Sequence, residues 1–134
     1  MLRRLHNDDL GKLILRLAVG ITMLLHGINK VLNPGSFDWL GSTLAEVGLP
    51  TSLAYAVLLG EIVGPLMAIL GVCSRIGGLL MAGNMVVAVV LVHLGDLWTL
   101  NDQGGWTLEL QAMFFAAGLA VMLLGSGRFA IQPD

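Results

Sequence analysis

Leu13–Leu32 reads LILRLAVGITMLLHGINKVL. At ~1.5 Å rise per residue, roughly 20 apolar residues cross the ~30 Å hydrocarbon core of a bilayer. That length makes the stretch a membrane helix. Arg16, His26 and Lys30 lie inside it or at its edges. An ionisable group at membrane depth is costly, so each marks a candidate site. His26, Asn29, Lys30 and Asn33 follow the spacing i, i+3, i+4, i+7 and share one helical face. That face requires a polar partner elsewhere in the chain.

The whole composition agrees with a membrane setting. The chain of 134 residues is 56% hydrophobic and only 12% charged, whereas a soluble domain carries about 25% charged residues. Its net charge of -2 comes from few, scattered groups, which offers nucleic acid no basic patch. The single cysteine, Cys73, excludes an internal disulfide and a CxxC redox pair. Arg3, Arg4 and the apolar run after them look superficially like a signal peptide. The run is too long for one and no small-residue cleavage site follows, so the sequence predicts a retained first helix.

Punctuation residues then divide the chain. Asn7 or Asp8 can cap a first span over about 10–32, which Asn33-Pro34-Gly35 closes. Phe37, Leu40, Leu44 and Val47 recur at helical spacing over 36–47, too short to span. With Trp39 they predict an amphipathic helix lying at the interface. Gly48-Leu49-Pro50 ends it. Further spans are expected over 51–72, 76–94 and 107–124, with a polar loop at 95–106. The chain is therefore expected to be all-α, an integral membrane protein of four spans with one short interfacial helix, forming a single domain. Arg3, Arg4, Lys12, Arg16, Arg75 and Arg128 fall on one side and only Lys30 toward the other, which puts both termini in the cytoplasm. Arg16 and Arg75 are expected to snorkel to the headgroups on that side.

Glu61 is the sharpest chemical signal. It sits near mid-membrane, where an unpaired carboxylate is neutralised or driven to a cation. Lys30 and His26 are the candidates by type. Pro65, four residues on, removes the N–H that the Glu61 carbonyl would accept from, and so leaves a polar notch. Residue types leave a structural ion pair and a ligand or proton site equally open. His93 and Glu109 lie toward the outer ends of their helices and could join such a cluster, but no metal-ligand spacing connects them. Gly60-x-x-x-Gly64 and Asn84 read as packing and interhelical glue. The methionines are expected to face lipid or fill packing gaps. Leu70-Gly71 with Arg75 and Leu124-Gly125 with Arg128 form a weak internal echo between two hairpins.

In its order of motifs the chain resembles the DoxX family of small bacterial and archaeal membrane proteins. The resemblance runs from about Leu13 to Arg128. It rests on Arg16-x-x-x-Gly20, His26-Gly27-x-x-Lys30, Gly48-Leu49-Pro50, Glu61 with Gly64, and Leu70-Gly71-x-x-x-Arg75. Val92-His93-Leu94, Gly104-Gly105-Trp106 and Gly125-x-Gly-Arg128 complete it. Family members often place an acid directly after the aromatic that follows Gly-Gly; here Thr107 stands there and the acid comes at Glu109. The resemblance implies a four-helix bundle in the cytoplasmic (inner) membrane. It also implies a link to sulfur or thiol redox chemistry, since the name-giving member is a subunit of a thiosulfate:quinone oxidoreductase.

On that reading the chain is a quinone-linked oxidoreductase subunit, with His26, Lys30 and Glu61 as catalytic candidates. Asn29, His93, Trp106 and Glu109 would join them in binding the ligand. The alternative is a non-catalytic anchor or assembly partner, bound to another protein or to a second copy through the 36–47 segment or the 95–106 loop. In both cases the lipid bilayer is a partner and neither nucleic acid nor a metal is expected.

Overall fold

A computed structural model describes residues 2–33 and 35–134, and the side chains of Leu2, Arg3 and Ser36 lie outside that description. Pro34, part of the expected turn, also lies outside it. Helix α1 (Asp8–Leu32) is capped by Asn7, whose side chain accepts a 3.0 Å hydrogen bond from the Leu10 N–H. Asp8 and Asp9 in its first turn suit the positive end of the helix dipole. A short helix α2 (Gly35–Glu46) follows. It buries Phe37 and Leu44 and leaves Trp39 exposed. Phe37 stacks on Tyr55 at 5.0 Å, which ties α2 to the start of the next helix.

Helix α3 (Thr51–Leu70) is irregular along its length. It opens as a 3-10 turn, widens to a π turn at Leu59–Val63, and becomes regular from Gly64. The cause is Pro65. Lacking an N–H, it cannot serve the Glu61 carbonyl, and the Gly64 N–H bonds instead to the Leu59 carbonyl, five residues back. The helix ends at Gly71, whose φ of 72° is left-handed. Helix α4 (Ser74–Asp96) is regular to Ala88 and has its own π turn at Val89–His93. The loop beyond it is pinned by a Leu100–Trp106 bridge and a 2.7 Å contact between the Thr99 and Thr107 hydroxyls. Helix α5 (Glu109–Leu124) has 16 residues, about 24 Å at 1.5 Å per residue, and so is the shortest span.

The spans pack in a ring, α1 on α3, α3 on α4, α4 on α5 and α5 back on α1. The chain is therefore an all-α membrane bundle. Val19, Met23, Ala68, Met81, Met85, Phe114 and Val121 form its core. Met81 and Met85 are thus packing residues, whereas Met113 is exposed. Glycines set the helix separations. A Cβ on Gly64 would lie 3.1 Å from the Gly77 carbonyl, and one on Gly78 would lie 2.5 Å from that of Gly118. Gly27 is just as demanding, because its Cβ would overlap the Glu61 carbonyl oxygen, a backbone atom. That carbonyl, freed by Pro65, instead rests against the bare Gly27 Cα. Gly27→Val should cost about 1–3 kcal/mol through overpacking, read as a fall in melting temperature of the detergent-solubilised protein.

Arg16 turns inward rather than snorkelling, while Arg75 stays exposed and also binds backbone carbonyls. Arg16 is buried, and its guanidinium donates to the Ala68, Ser126 and Phe129 carbonyls at 3.0, 2.7 and 2.8 Å. Arg75 donates to the Met122 and Leu123 carbonyls, each at 3.0 Å, and to the Asp134 carbonyl. The last carbonyls of α3 and α5 have no helical N–H to accept from. Guanidinium groups satisfy them and complement the negative helix ends. The C-terminal segment closes over the same end, with the Ile131 and Gln132 N–H groups donating to the Leu70 and Gly71 carbonyls.

Candidate functional site

Glu61 lies in the π turn of α3, and its side chain is only 7% exposed. The Lys30 side chain is 29% exposed, and its ammonium meets both carboxylate oxygens at 2.6 and 2.5 Å. The Asn84 amide of α4 donates to the same carboxylate at 3.3 Å. Gly60 makes this last contact feasible, because a Cβ there would run into the Asn84 side chain. Three helices thus converge on one carboxylate. Sequence reasoning had Asn84 only as glue; a lone amide facing a membrane acid one helix away was the available signal.

This cluster forms part of the wall of a cavity of about 1040 Å³ bounded by α2, α3 and α4. Apart from Lys30, Glu61, Asn84 and His93, nearly every lining side chain is apolar. His93 sits in the π turn of α4, half-buried, with Nδ1 3.5 Å from the Asp96 carboxylate. Both π turns therefore border one cavity. Such turns leave backbone groups irregularly paired and recur at functional sites.

The other expected site residues lie apart. His26 is exposed and meets the edge of Phe114 on α5, ring centroids 5.5 Å apart. Asn29 is exposed and accepts from the Asn33 amide. The polar face of α1 divides for a geometric reason. At about 100° per residue, Gly27 points to α3 and His26 toward α5, with Lys30 between them and Asn29 on the far side. Only the long Lys30 chain swings to Glu61. Trp106 donates from Nε1 to the Leu97 carbonyl at 2.9 Å, and Glu109 accepts from Asn101 at 3.4 Å. Trp106 belongs to the loop and Glu109 to the first turn of α5, and neither lines the cavity.

A profile of the DoxX family matches residues 11–94. The chain belongs to the DoxX family. The part that matches DoxX holds Lys30, Glu61, Asn84 and His93, while Trp106 and Glu109 lie beyond it. Among curated proteins the chain is similar to one named "Putative oxidoreductase CatD" from Bacillus subtilis (strain 168). The two are 29% identical over 93% of this chain and 87% of the relative. It is also similar to "Uncharacterized membrane protein Rv3486" of Mycobacterium tuberculosis, at 32% identity over 97% of this chain and 85% of that one. No solved structure matches it. The DoxX match and the apolar spans establish a membrane protein.

Proposed function

We propose that this DoxX protein is the membrane subunit of a quinone-linked oxidoreductase, with the quinone head group at Lys30, Glu61 and Asn84. The observation that carries the reading is a charged, amide-braced pair facing an apolar cavity of about 1040 Å³. Small-molecule sites combine apolar walls with a few convergent polar groups in this way. The residues present fit the group. Two Lys30 N–H bonds are taken by Glu61, which leaves the third for a ring carbonyl. A quinone supplies a two-electron, two-proton acceptor.

On this reading Lys30 stabilises negative charge developing on the head-group oxygen. Glu61 relays protons to it, and Asn84 holds the carboxylate in place between transfers. The electrons come from a partner protein or a small sulfur or thiol reductant, since the single Cys73 forms no redox pair of its own. His26, against Phe114 on the α1–α5 side, would act on a proton path rather than at the head group. Arg16, Arg75 and Arg128 lie at the end of the bundle that carries both termini. With Lys30 toward the other end, this supports cytoplasmic termini in the inner membrane.

A second reading is a non-catalytic anchor. The rim of the α4–α5 loop favours it, since Trp98 is 95% exposed and Leu100 is exposed beside it. One experiment separates the two. After gentle purification from native membranes, intact-complex mass spectrometry and solvent extraction should find about one quinone per chain, lost in Glu61→Gln. A stoichiometric protein partner with no quinone would establish the anchor instead.

A further inference from the structure

The cavity wall along α4 is also part of the outer surface of the bundle. Leu79, Gly83, Val86, Val87 and Val90 line the cavity, and all of them are exposed. They recur at i, i+4, i+7, i+8 and i+11, one stripe of the helix. The stripe is about 16 Å long at 1.5 Å per residue, longer than a ring head group covers. Opposite it, Leu53 and Leu59 of α3 are likewise both lining and exposed. The cavity is thus a groove open sideways to lipid, with its polar groups at the bottom.

Charge narrows what the groove holds. Lys30 and Glu61 cancel, and His93 is matched by Asp96. The wall offers no uncompensated cation to a phosphate or carboxylate head, so a neutral head is favoured. Gly83 adds a spatial clue. It precedes Asn84 on α4, and nothing lies within 4 Å of where its Cβ would be. A bare backbone at this point keeps the wall clear within the stripe, about 100° around the helix from Asn84.

Building on the quinone-site reading, we infer that the groove takes a lipid-soluble quinone sideways from the bilayer and holds part of its polyisoprenoid tail along the Leu79–Val90 stripe. A tail held there gains through close dispersion contacts with the stripe, since lipid is as apolar as the groove and supplies no hydrophobic driving force. A soluble, tail-less quinone gains nothing from the stripe.

Gly83→Phe tests this, because nothing lies within 4 Å of the Cβ position on this stretch of the groove wall and the substitution adds bulk there. Protein in nanodiscs is loaded with menaquinone or with its tail-less ring, menadione, and bound quinone is measured by extraction. Melting temperature serves as the folding control. The expected result is that Gly83→Phe melts like the wild type, retains menaquinone about tenfold less well, and binds menadione as before, while Glu61→Gln weakens both. Unchanged menaquinone retention in Gly83→Phe, or equal loss of both quinones, overturns the tail groove even if Glu61→Gln still weakens binding. Wild-type protein that retains neither quinone, or that yields a phospholipid in the extract instead, overturns the quinone site itself and the groove with it.

Discussion

Lys30→Met is expected to destabilise the bundle by about 3 kcal/mol, with Glu61→Gln costing less. Removing the lysine leaves a carboxylate that is 7% exposed with only the 3.3 Å Asn84 bond to compensate it. Breaking a buried pair from one side costs about 3–5 kcal/mol, and the partial exposure of Lys30 places this case at the lower end. The double variant Lys30→Met with Glu61→Leu should recover most of the loss, because two apolar side chains of similar size need no desolvation offset. Stability is read by thermal unfolding in detergent. The comparison also separates structure from function: the double variant should fold well yet retain no quinone. A double variant as unstable as Lys30→Met alone would show that the cost arises from lost packing, not from a stranded charge.

Arg16→Met is expected to cost a similar amount, about 3 kcal/mol or more. Arg16 spends three separate N–H groups on three carbonyls, contributed by α3, by Ser126 just beyond α5 and by Phe129 in the C-terminal segment. Without it the Ala68 and Ser126 carbonyls stay buried and unpaired, each at about 1–3 kcal/mol before relaxation. Arg16→Lys should rescue little. An ammonium is a compact point donor and cannot reproduce the fork that reaches Nε, Nη1 and Nη2 partners together. Full rescue by lysine would instead assign Arg16 a role as bare positive charge at the helix ends. The C-terminal segment should respond too, with faster amide exchange at Ile131 and Gln132, whose N–H groups close the same end.

The two arginines show where local reasoning runs out. A long cationic chain near a helix end can reach headgroups or carbonyls with equal ease. Arg16 turns inward because α3 and α5 end beside it with unpaired carbonyls, and hydropathy contains nothing about which helix ends meet. His26 and Lys30 pose the same problem. Either could by type have served Glu61, yet α1 lies between α3 and α5 and its polar face splits between them. Asn84 faces Glu61 only because Gly60 lets α4 approach that closely.

What the amino-acid sequence determined by itself was the membrane setting, the helical elements and their breakers, and the presence of an acid that needs a partner. Those follow from composition, from apolar run length and from the missing N–H of Pro65, all of which act along the chain. The tertiary structure alone decided which cation closes on Glu61, that Arg16 clamps helix ends, and that the polar cluster opens onto a lipid-facing groove. These depend on how each helix is rotated about its axis against its neighbours. A turn of about 40°, the offset between residues i and i+4, is enough to send His26 to one helix and Lys30 to another.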